Sequence, residues 1–153
     1  MQKLIIGADD PQLIPVRQVR GDAGADLRAN ENLTLFPGQR ATVSTGIHIA
    51  LEDGYAGLVY SRSGLASKHG VFVLNAPGLI DSGYRGEVKV VLQNSGNSTF
   101  EIRRYDRIAQ LVIQKVEHPE VETFTIDAFS RWCATSAAHE SERGAGGFGS
   151  TGV

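Results

Sequence analysis

Short segments in which apolar and polar residues alternate recur along most of the chain, and this pattern restricts the fold more than any other feature. The clearest example is Thr42–Ile49, in which every second residue would face the core. The core-facing residues are Val43, Thr45, Ile47 and Ile49. A period of two is that of a β-strand with one buried face. His48 falls on the polar face, where we expect it to be solvated.

Seven further segments carry strand signals, and turn residues separate them. The segments are Leu33–Phe36, Tyr55–Tyr60, Val71–Leu74, Glu87–Gln93, Thr99–Ile102, Ile108–Val116 and Val121–Ile126. Only Ser63–His69 is typical of a helix, with Ser61 or Ser63 as its cap and Gly70 as its end. We therefore expect an all-β protein, a jelly-roll-like antiparallel β sandwich or barrel with one short helix.

Composition excludes several classes of function. The 15 Lys and Arg residues nearly balance the 17 Asp and Glu residues, giving a net charge of −2, which argues against a nucleic-acid binder held by bulk positive charge. The sequence has no apolar run long enough to span a membrane. The single cysteine, Cys133, leaves no internal disulfide and no cysteine-based zinc site. A reducing, cytoplasmic setting is the expectation.

The last segment, 141–153, differs from the rest because glycine dominates it. Its composition cannot build a core, so we expect a β domain over residues 1–140 and a flexible Gly-rich C-terminal arm over 141–153. A disordered terminus without function is one interpretation. The other is a lid, because Arg143 can bind an anion and Phe148 can stack on a flat ring.

Two Gly-rich segments suggest an anion site. In Ser61–Ser67, small residues at a helix start would expose unpaired N–H groups, and Arg62 adds a positive charge. An ordinary capped helix with a surface arginine explains the same pattern. Asp26, in the bend Ala23–Leu27, is either a structural residue or a carboxylate that holds the waters of a Mg²⁺ ion bound to phosphate.

The segment Asn75–Gly86 is the most specific. Asn75 offers both a donor and an acceptor, which suits the edge of a nucleobase. Tyr84 lies between glycines, so its ring could lie flat against a planar ligand. Asp81 is either a turn cap or a general base for water.

Taken together, these segments resemble five ordered motifs of the trimeric dUTPase family. The matching segments are Ala23–Leu27, Arg62–Ala66, Asn75–Gly86, Arg107–Leu111 and Arg143–Gly152. They span the chain from about residue 23 to residue 152. The sequence departs from the family at Ser61, where proline is frequent, and at Ala145, where an acidic or polar residue is frequent.

The resemblance implies a jelly-roll homotrimer whose active sites are shared between subunits. It implies Mg²⁺-assisted hydrolysis of dUTP to dUMP and pyrophosphate, which would limit uracil in DNA and supply dUMP for dTTP synthesis. Asp81 would then deprotonate the water that attacks the α-phosphorus, and Asp26 would hold Mg²⁺ through water.

The resemblance also implies roles for the remaining candidate residues. Asn75 and the backbone at Val88 and Lys89 would read the uracil edge, and Tyr84 would pack under the deoxyribose. The residues that would hold the triphosphate are Arg62, Ser63, Gly64 and Gln110. The residues that would close over the substrate from another subunit are Arg143 and Phe148.

Two alternatives stay open at this point. One is an enzyme related to dCTP deaminase, which shares the fold and uses a glutamate near the substrate ring. No glutamate obviously matches it, since the nearest to the third motif, Glu87, follows Gly86 on a predicted strand. The other is a catalytically idle dUTPase-like binding protein. The retained polar residues of all five motifs argue against the second alternative.

Overall fold

A computed structural model describes residues 3–135 and Ser141. The chain divides into two compact units, Met1–His118 and Pro119–Val153. The predicted arm over 141–153, with Arg143 and Phe148, lies outside the described residues apart from Ser141. Its boundary at residue 140 therefore stays a prediction.

The first unit is built from ten strands, one helix and one 3₁₀ turn, η1 (Pro11–Leu13). The strands are β1 (Ile5–Ala8), β2 (Ala25–Arg28), β3 (Leu33–Leu35), β4 (Arg40–Ala50), β5 (Tyr55–Tyr60), β6 (Val71–Val73), β7 (Gly78–Ile80), β8 (Glu87–Asn94), β9 (Phe100–Ile102) and β10 (Arg107–Lys115). The helix is α1 (Ser63–His69).

All strand pairs between these elements are antiparallel. One four-stranded sheet has the order β1-β4-β8-β6, a second has the order β2-β10-β5-β7, and β3 pairs with β9. The two larger sheets pack face to face around one apolar core. Their contact is close enough that a β-carbon at Gly57 on β5 would lie 3.3 Å from Cδ1 of Ile49 on β4. The predicted jelly-roll-like antiparallel fold is confirmed.

The strand with the clearest alternation, β4, confirms its predicted faces. Its core-facing residues are all buried, including Thr45, which is 1% exposed. The hydroxyl of Thr45 donates to the carbonyl of Val88, so this buried polar group is satisfied. The alternation therefore predicted not only a strand but also the side that faces the core.

The helix α1 has the predicted bounds but not the predicted cap. Arg62 is the N-cap residue and makes no side-chain capping bond, whereas the hydroxyl of Ser61 accepts a hydrogen bond from the amide of Val73 at 2.9 Å. Gly70 ends the helix in the left-handed conformation, as expected (φ +67°). Proline at position 61 would lack the hydroxyl oxygen that accepts this hydrogen bond from the amide of Val73.

The prediction of a strand over Val121–Ile126 is wrong. The second unit contains instead a second helix, α2 (Ile126–Cys133), whose cap Thr125 accepts from the amide of Ala128 at 3.2 Å. Asp127 in its first turn also favours the helix N-terminus. The expectation of a single helix is wrong for the same reason. No helix in the described part of the chain is long and apolar enough to cross a membrane.

Candidate active site

The first group of candidate residues surrounds a buried carboxylate on β2. Asp26 is only 4% exposed. Its Oδ1 lies 3.2 Å from Nε of Arg62, and its Oδ2 lies 3.2 Å from a terminal nitrogen of Arg107. Arg62 also donates to the carbonyl of Arg107 at 2.8 Å. We call Asp26, Arg62, Arg107 and Gln110 the arginine cluster.

Strand register brings this cluster together. Gln110 on β10 is paired with Asp26 on one side and with Tyr60 on the other. Arg62 follows Tyr60 by two residues and reaches back over β10. Gly24 leaves room for the glutamine, because a β-carbon at Gly24 would lie 3.0 Å from Cβ of Gln110. Residues from three separate motifs are thus placed on neighbouring strands.

The charges of the arginine cluster favour an anion. Two guanidiniums share one carboxylate, so one positive charge is left over. The side chain of Arg107 is 40% exposed, and α1 begins beside the cluster with the exposed residues Ser63 and Gly64. The first N–H groups of a helix have no partner within the helix and can bind phosphate oxygens. The pairing with Asp26 also holds both guanidiniums in place before an anion binds.

The second group lies in the loops around β7 and at the start of β8. We call Asn75, Asp81, Tyr84, Val88 and Lys89 the hairpin cluster. A cavity of about 280 Å³ is lined by four of these residues, together with Leu79, Ile80 and Glu87. Asn75 lines a smaller cavity of about 70 Å³ that also includes Lys89. The structure therefore brings the residues of the third motif into one continuous region.

The loop between β7 and β8 presents Asp81 and Tyr84 to solvent. A turn bond from the amide of Tyr84 to the carbonyl of Asp81 measures 3.1 Å. The hydroxyl of Tyr84 donates to the carbonyl of Glu87 at 2.9 Å, so the ring folds back over Gly86. A β-carbon at Gly86 would lie 2.4 Å from this hydroxyl oxygen, so only glycine leaves the ring in this position.

Backbone groups at the start of β8 point alternately toward β4 and toward the opposite side of the strand. The carbonyl of Val88 turns toward β4, where Thr45 donates to it. The carbonyl of Val91 faces the opposite side and accepts from Leu74 at 2.8 Å. Since successive residues of a strand alternate in direction, the peptide groups of Lys89 face the same side as those of Val91. This side is the one that Asn75 borders.

The two clusters lie on opposite edges of one sheet. Asp26 is on β2, and Asp81 follows the last residue of β7, with β10 and β5 between those strands. Three strand spacings amount to about 14 Å, which is too far for the two carboxylates to act on one phosphate group. Within the described chain, the arginine cluster and the hairpin cluster are separate half-sites.

A third cavity, of about 660 Å³, is lined by none of the predicted site residues. It is lined by Asp10, His48, Glu87 and Arg104, among others. A hydrogen bond from the hydroxyl of Tyr105 lowers the pKa of Asp10, and the same bond raises the pKa of Tyr105. These contacts join the N-terminal segment to the β body, so we assign the chemistry to the other two regions.

Glu87 and His48 both make contacts that the sequence did not predict. Burial raises the pKa of Glu87, but hydrogen bonds from Ser44 and Gly46, together with nearby Lys89, lower it by more. Its carboxylate points to β4 and is already hydrogen-bonded, which does not suit a deaminase acid. His48 is exposed, as expected, but its Nδ1 lies 3.0 Å from the carbonyl oxygen of Arg85.

The described residues of the arginine cluster fit a metal ion only if the ion is bound through water. Among the described residues, no group of three or more His, Cys, Asp or Glu side chains is placed to hold a metal. Oδ2 of Asp26 accepts a hydrogen bond from Arg107, whereas Oδ1 forms an ion pair with Nε of Arg62 without a hydrogen bond, so both oxygens can still accept from water. Mg²⁺ commonly takes one or two carboxylates, substrate phosphates and several waters. Asp26 therefore fits a contact through water and not a protein-only metal cage.

Sequence reasoning placed Arg107 in a motif but gave it no role. Its position as the second partner of Asp26 depends on a bulge in β10, where the register shifts between Arg107 and Ala109. Two consecutive residues, Ile108 and Ala109, are buried there. The break in alternation at Ile108 and Ala109 is the only sequence signal that could have indicated the bulge. Arg143 and Phe148 lie outside the described residues.

The fold and the two half-sites define a β-sheet enzyme that acts on an anionic substrate. The family model for dUTPase matches residues 10–152. The chain is 53% identical to the deoxyuridine 5′-triphosphate nucleotidohydrolase of Thermobifida fusca, over 94% of this chain and 75% of that protein. It is 49% identical to the protein of the same name from Corynebacterium diphtheriae, over 94% and 89% of the two chains.

Solved structures agree with these relatives. A dUTPase of Staphylococcus bacteriophage 80alpha, solved with dUpNHpp, has a TM-score of 0.83 and 27% identity and covers 99% of both chains. A dUTPase from phage phi11 of S. aureus, described with a structural Mg(II) ion, has a TM-score of 0.73 and 26% identity and covers 80% of this chain and 96% of that one. The chain belongs to the dUTPase family, and it is a dUTP diphosphatase.

Proposed function

We propose that the chain hydrolyses dUTP by in-line attack of water on the α-phosphorus, in an active site completed by more than one copy of the chain. A bond forms between the water oxygen and the α-phosphorus, while the bond to the oxygen bridging to the β-phosphorus breaks. The products are dUMP and pyrophosphate. The separation of the two half-sites on opposite sheet edges carries the proposal that copies share the site.

Asp81 takes the proton of the attacking water. Its carboxylate is exposed on the loop that borders the 280 Å³ cavity, so a water molecule can reach it. A positioned general base contributes about 10²–10⁴-fold to the rate. Tyr84 packs against the deoxyribose, and Asn75 with the peptide groups of Lys89 reads the uracil edge. The carbonyl of Val88 is committed to Thr45, so Val88 contributes to this edge by holding the adjacent Lys89 in place.

The arginine cluster binds the triphosphate. Arg62, Ser63, Gly64 and Gln110 supply donors, and we add Arg107, whose guanidinium is already held by Asp26. Fixed donors stabilise the charge that develops on the leaving phosphate without reorganising during the reaction. Asp26 would hold Mg²⁺ through water. When bound, Mg²⁺ offsets negative charge on the phosphate oxygens.

The proposed assembly is a homotrimer, the state implied by the resemblance to the trimeric dUTPase family. One copy supplies the arginine cluster, a second supplies the hairpin cluster, and the segment 141–153 forms an arm that brings Arg143 and Phe148 over the substrate. Exclusion of water by such an arm would strengthen the interactions inside the site. In the cell, the reaction would limit uracil in DNA and supply dUMP for dTTP synthesis.

Co-expression of two inactive variants tests the shared site. The variants are Asp26→Asn and Asp81→Asn, each carrying a different purification tag so that mixed assemblies can be isolated. If each site takes Asp26 from one copy and Asp81 from another, an isolated mixed homotrimer regains about one of its three sites. If both carboxylates come from the same chain, no site is restored, and the shared-site proposal is wrong.

The reaction itself is tested by product analysis. Pyrophosphate release is measured with dUTP, dTTP and dCTP in the presence and absence of Mg²⁺, and ammonia release is measured with dCTP. We expect pyrophosphate from dUTP, dependence on Mg²⁺ and no ammonia. Ammonia from dCTP would replace the proposal with a deaminase.

A further inference from the structure

The strand that flanks the hairpin cluster contains a wide bulge. The register of β4 and β8 pairs Ser44 with Lys89 and His48 with Glu87. Three residues of β4 therefore lie opposite Val88 alone. Gly46, in the middle of the bulge, has φ +67°, a conformation that favours glycine. A β-carbon there would also lie 2.7 Å from Leu13, so the bulge is tightly packed.

The carboxylate of Glu87 fills the gap that the bulge leaves between the strands. Its Oε1 accepts from the hydroxyl of Ser44 and from the amide of Gly46, the latter at 2.9 Å. Its Oε2 lies 3.6 Å from Nζ of Lys89, and the glutamate side chain is 23% exposed. Hydrogen bonds to an ionised group are stronger than neutral ones, so this side chain replaces the missing ladder bonds.

Contacts around Glu87 hold the backbone on both sides of it. The carbonyl of Glu87 accepts from Tyr84 at 2.9 Å, and the carbonyl of Val88 accepts from Thr45. His48 lies 3.0 Å from the carbonyl of Arg85. The segment from Arg85 to Val88 is therefore fixed against β4, with the Glu87 carboxylate at the centre of the contacts.

We propose that Glu87 is a positioning residue for base recognition: by joining the start of β8 to the bulge of β4, it fixes the peptide groups of Lys89 and so sets the discrimination between uracil and its 5-methyl analogue. The inference rests on the proposed function, in which those peptide groups read the base. In this proposal Glu87 acts through the backbone it holds and not by contact with the substrate. A hairpin that can shift would admit a methyl group that the fixed hairpin rejects.

The test compares Glu87→Ala with Glu101→Ala. Glu101 accepts a hydrogen bond from the hydroxyl of Thr34 across β3 and β9, at 3.0 and 3.1 Å to its two oxygens. The control therefore removes the same kind of cross-strand contact away from the hairpin. For Glu87→Ala we expect KM for dUTP to rise about tenfold, with kcat within about threefold of the parent, because the interaction lost acts on binding.

The preference for dUTP over dTTP is the measurement that a purely structural role of Glu87 would leave unchanged. The ratio of kcat/KM for dUTP to that for dTTP is expected to fall about tenfold in Glu87→Ala and to be largely recovered in Glu87→Gln, which keeps an oxygen acceptor. If Glu87→Ala does not fold, Ser44→Ala removes one of the two hydrogen bonds and is expected to change the ratio about threefold.

A binding measurement separates this inference from the proposed function. The Kd values for dUDP and dTDP, measured by calorimetry, give the same discrimination ratio without any hydrolysis. An unchanged ratio in both Glu87→Ala and Ser44→Ala would overturn the inference while parent activity on dUTP stands. Absence of pyrophosphate from the parent would overturn the proposed reaction, and the calorimetric ratio would still decide the role of Glu87.

Discussion

The arginine cluster and the hairpin cluster each contain one aspartate, and the two carboxylates are placed in opposite ways. Asp26 is buried on a paired strand and neutralised by two arginines. Asp81 is exposed on a loop that is held through its backbone. A carboxylate that organises other charges needs fixed partners, whereas one that accepts a proton from water needs access to it. The difference supports the proposed roles, in which Asp26 holds neighbouring charges and Asp81 accepts a proton.

The largest expected effect is on the rate of hydrolysis when Asp81 is changed. Asp81→Asn is expected to lower kcat for dUTP by about 10²–10⁴-fold, because the general base is lost. KM and the melting temperature should change little, because the side chain is exposed. Steady-state pyrophosphate release and thermal melts measure both. Asp53→Asn, an exposed aspartate in the turn between β4 and β5, is the control. A kcat equal to that of the control would remove Asp81 from the chemistry.

The next effect is on stability. Asp26→Ala is expected to lower the free energy of unfolding by about 2–3 kcal/mol, since it leaves Arg62 and Arg107 without their shared partner. Urea unfolding measures this effect, with Asp53→Ala as the control. Asp81→Ala should lie close to the control. Equal unfolding free energies for Asp26→Ala and Asp81→Ala would contradict the division between the two clusters.

A smaller effect is expected where a glycine supports Tyr84. Gly86→Ala places a β-carbon in the space of the tyrosine hydroxyl and must displace the ring. We expect KM for dUTP to rise about fivefold, because displacing the ring weakens substrate binding by about the net free energy of one hydrogen bond. The melting temperature should hardly change, because the ring can move into solvent.

The matched control for that substitution is Gly83→Ala, in the same loop. No atom lies within 4 Å of a β-carbon at Gly83, so KM should stay at the parent value. A similar rise in KM for both variants would mean that the loop responds to any added side chain and that the ring position is not the cause.

The smallest effect is on pH dependence. Burial raises the pKa of Glu87, but hydrogen bonds from Ser44 and Gly46 together with Lys89 hold it below its ordinary value of 4.5. A lowered folded-state pKa means that this contribution to stability is present above pH 4.5 and is lost as the pH falls through the folded-state pKa. Glu87→Gln should therefore flatten the acid side of the stability profile, measured by thermal melts from pH 6 to about pH 3. Parallel profiles for parent and variant would contradict this assignment.

Sequence reasoning predicted those parts of the fold that depend on local pattern. The alternation of Thr42–Ile49 and the glycine after His69 are local signals, and both were sufficient. The edge strands β1, β2 and β7 were missed because each is short and also contains a glycine or an aspartate, residue types that favour turns over strands. Segment Val121–Ile126 was wrongly assigned because its apolar residues suggested a strand, while the decisive signal was the cap at Thr125.

The candidate site was predicted as a set of residues but not as two groups. The pairing of Gln110 with Asp26 depends on strand register, which no single motif encodes. The role of Arg107 and the contacts of Glu87 arise at bulges, where two strands of unequal length are matched. Such features are set by tertiary packing, so they could be found only in the structure.

The order of strands in the second sheet has a consequence for how activity responds to concentration. Under the proposed function, a chain with its phosphate-binding and proton-accepting groups at opposite borders of the sheet carries two half-sites, neither of which is active alone. The measured rate then depends on assembly as well as on folding. Dilution below the dissociation constant of the oligomer would inactivate chains that are still folded. A substitution at the subunit boundary would lower activity without any loss of secondary structure.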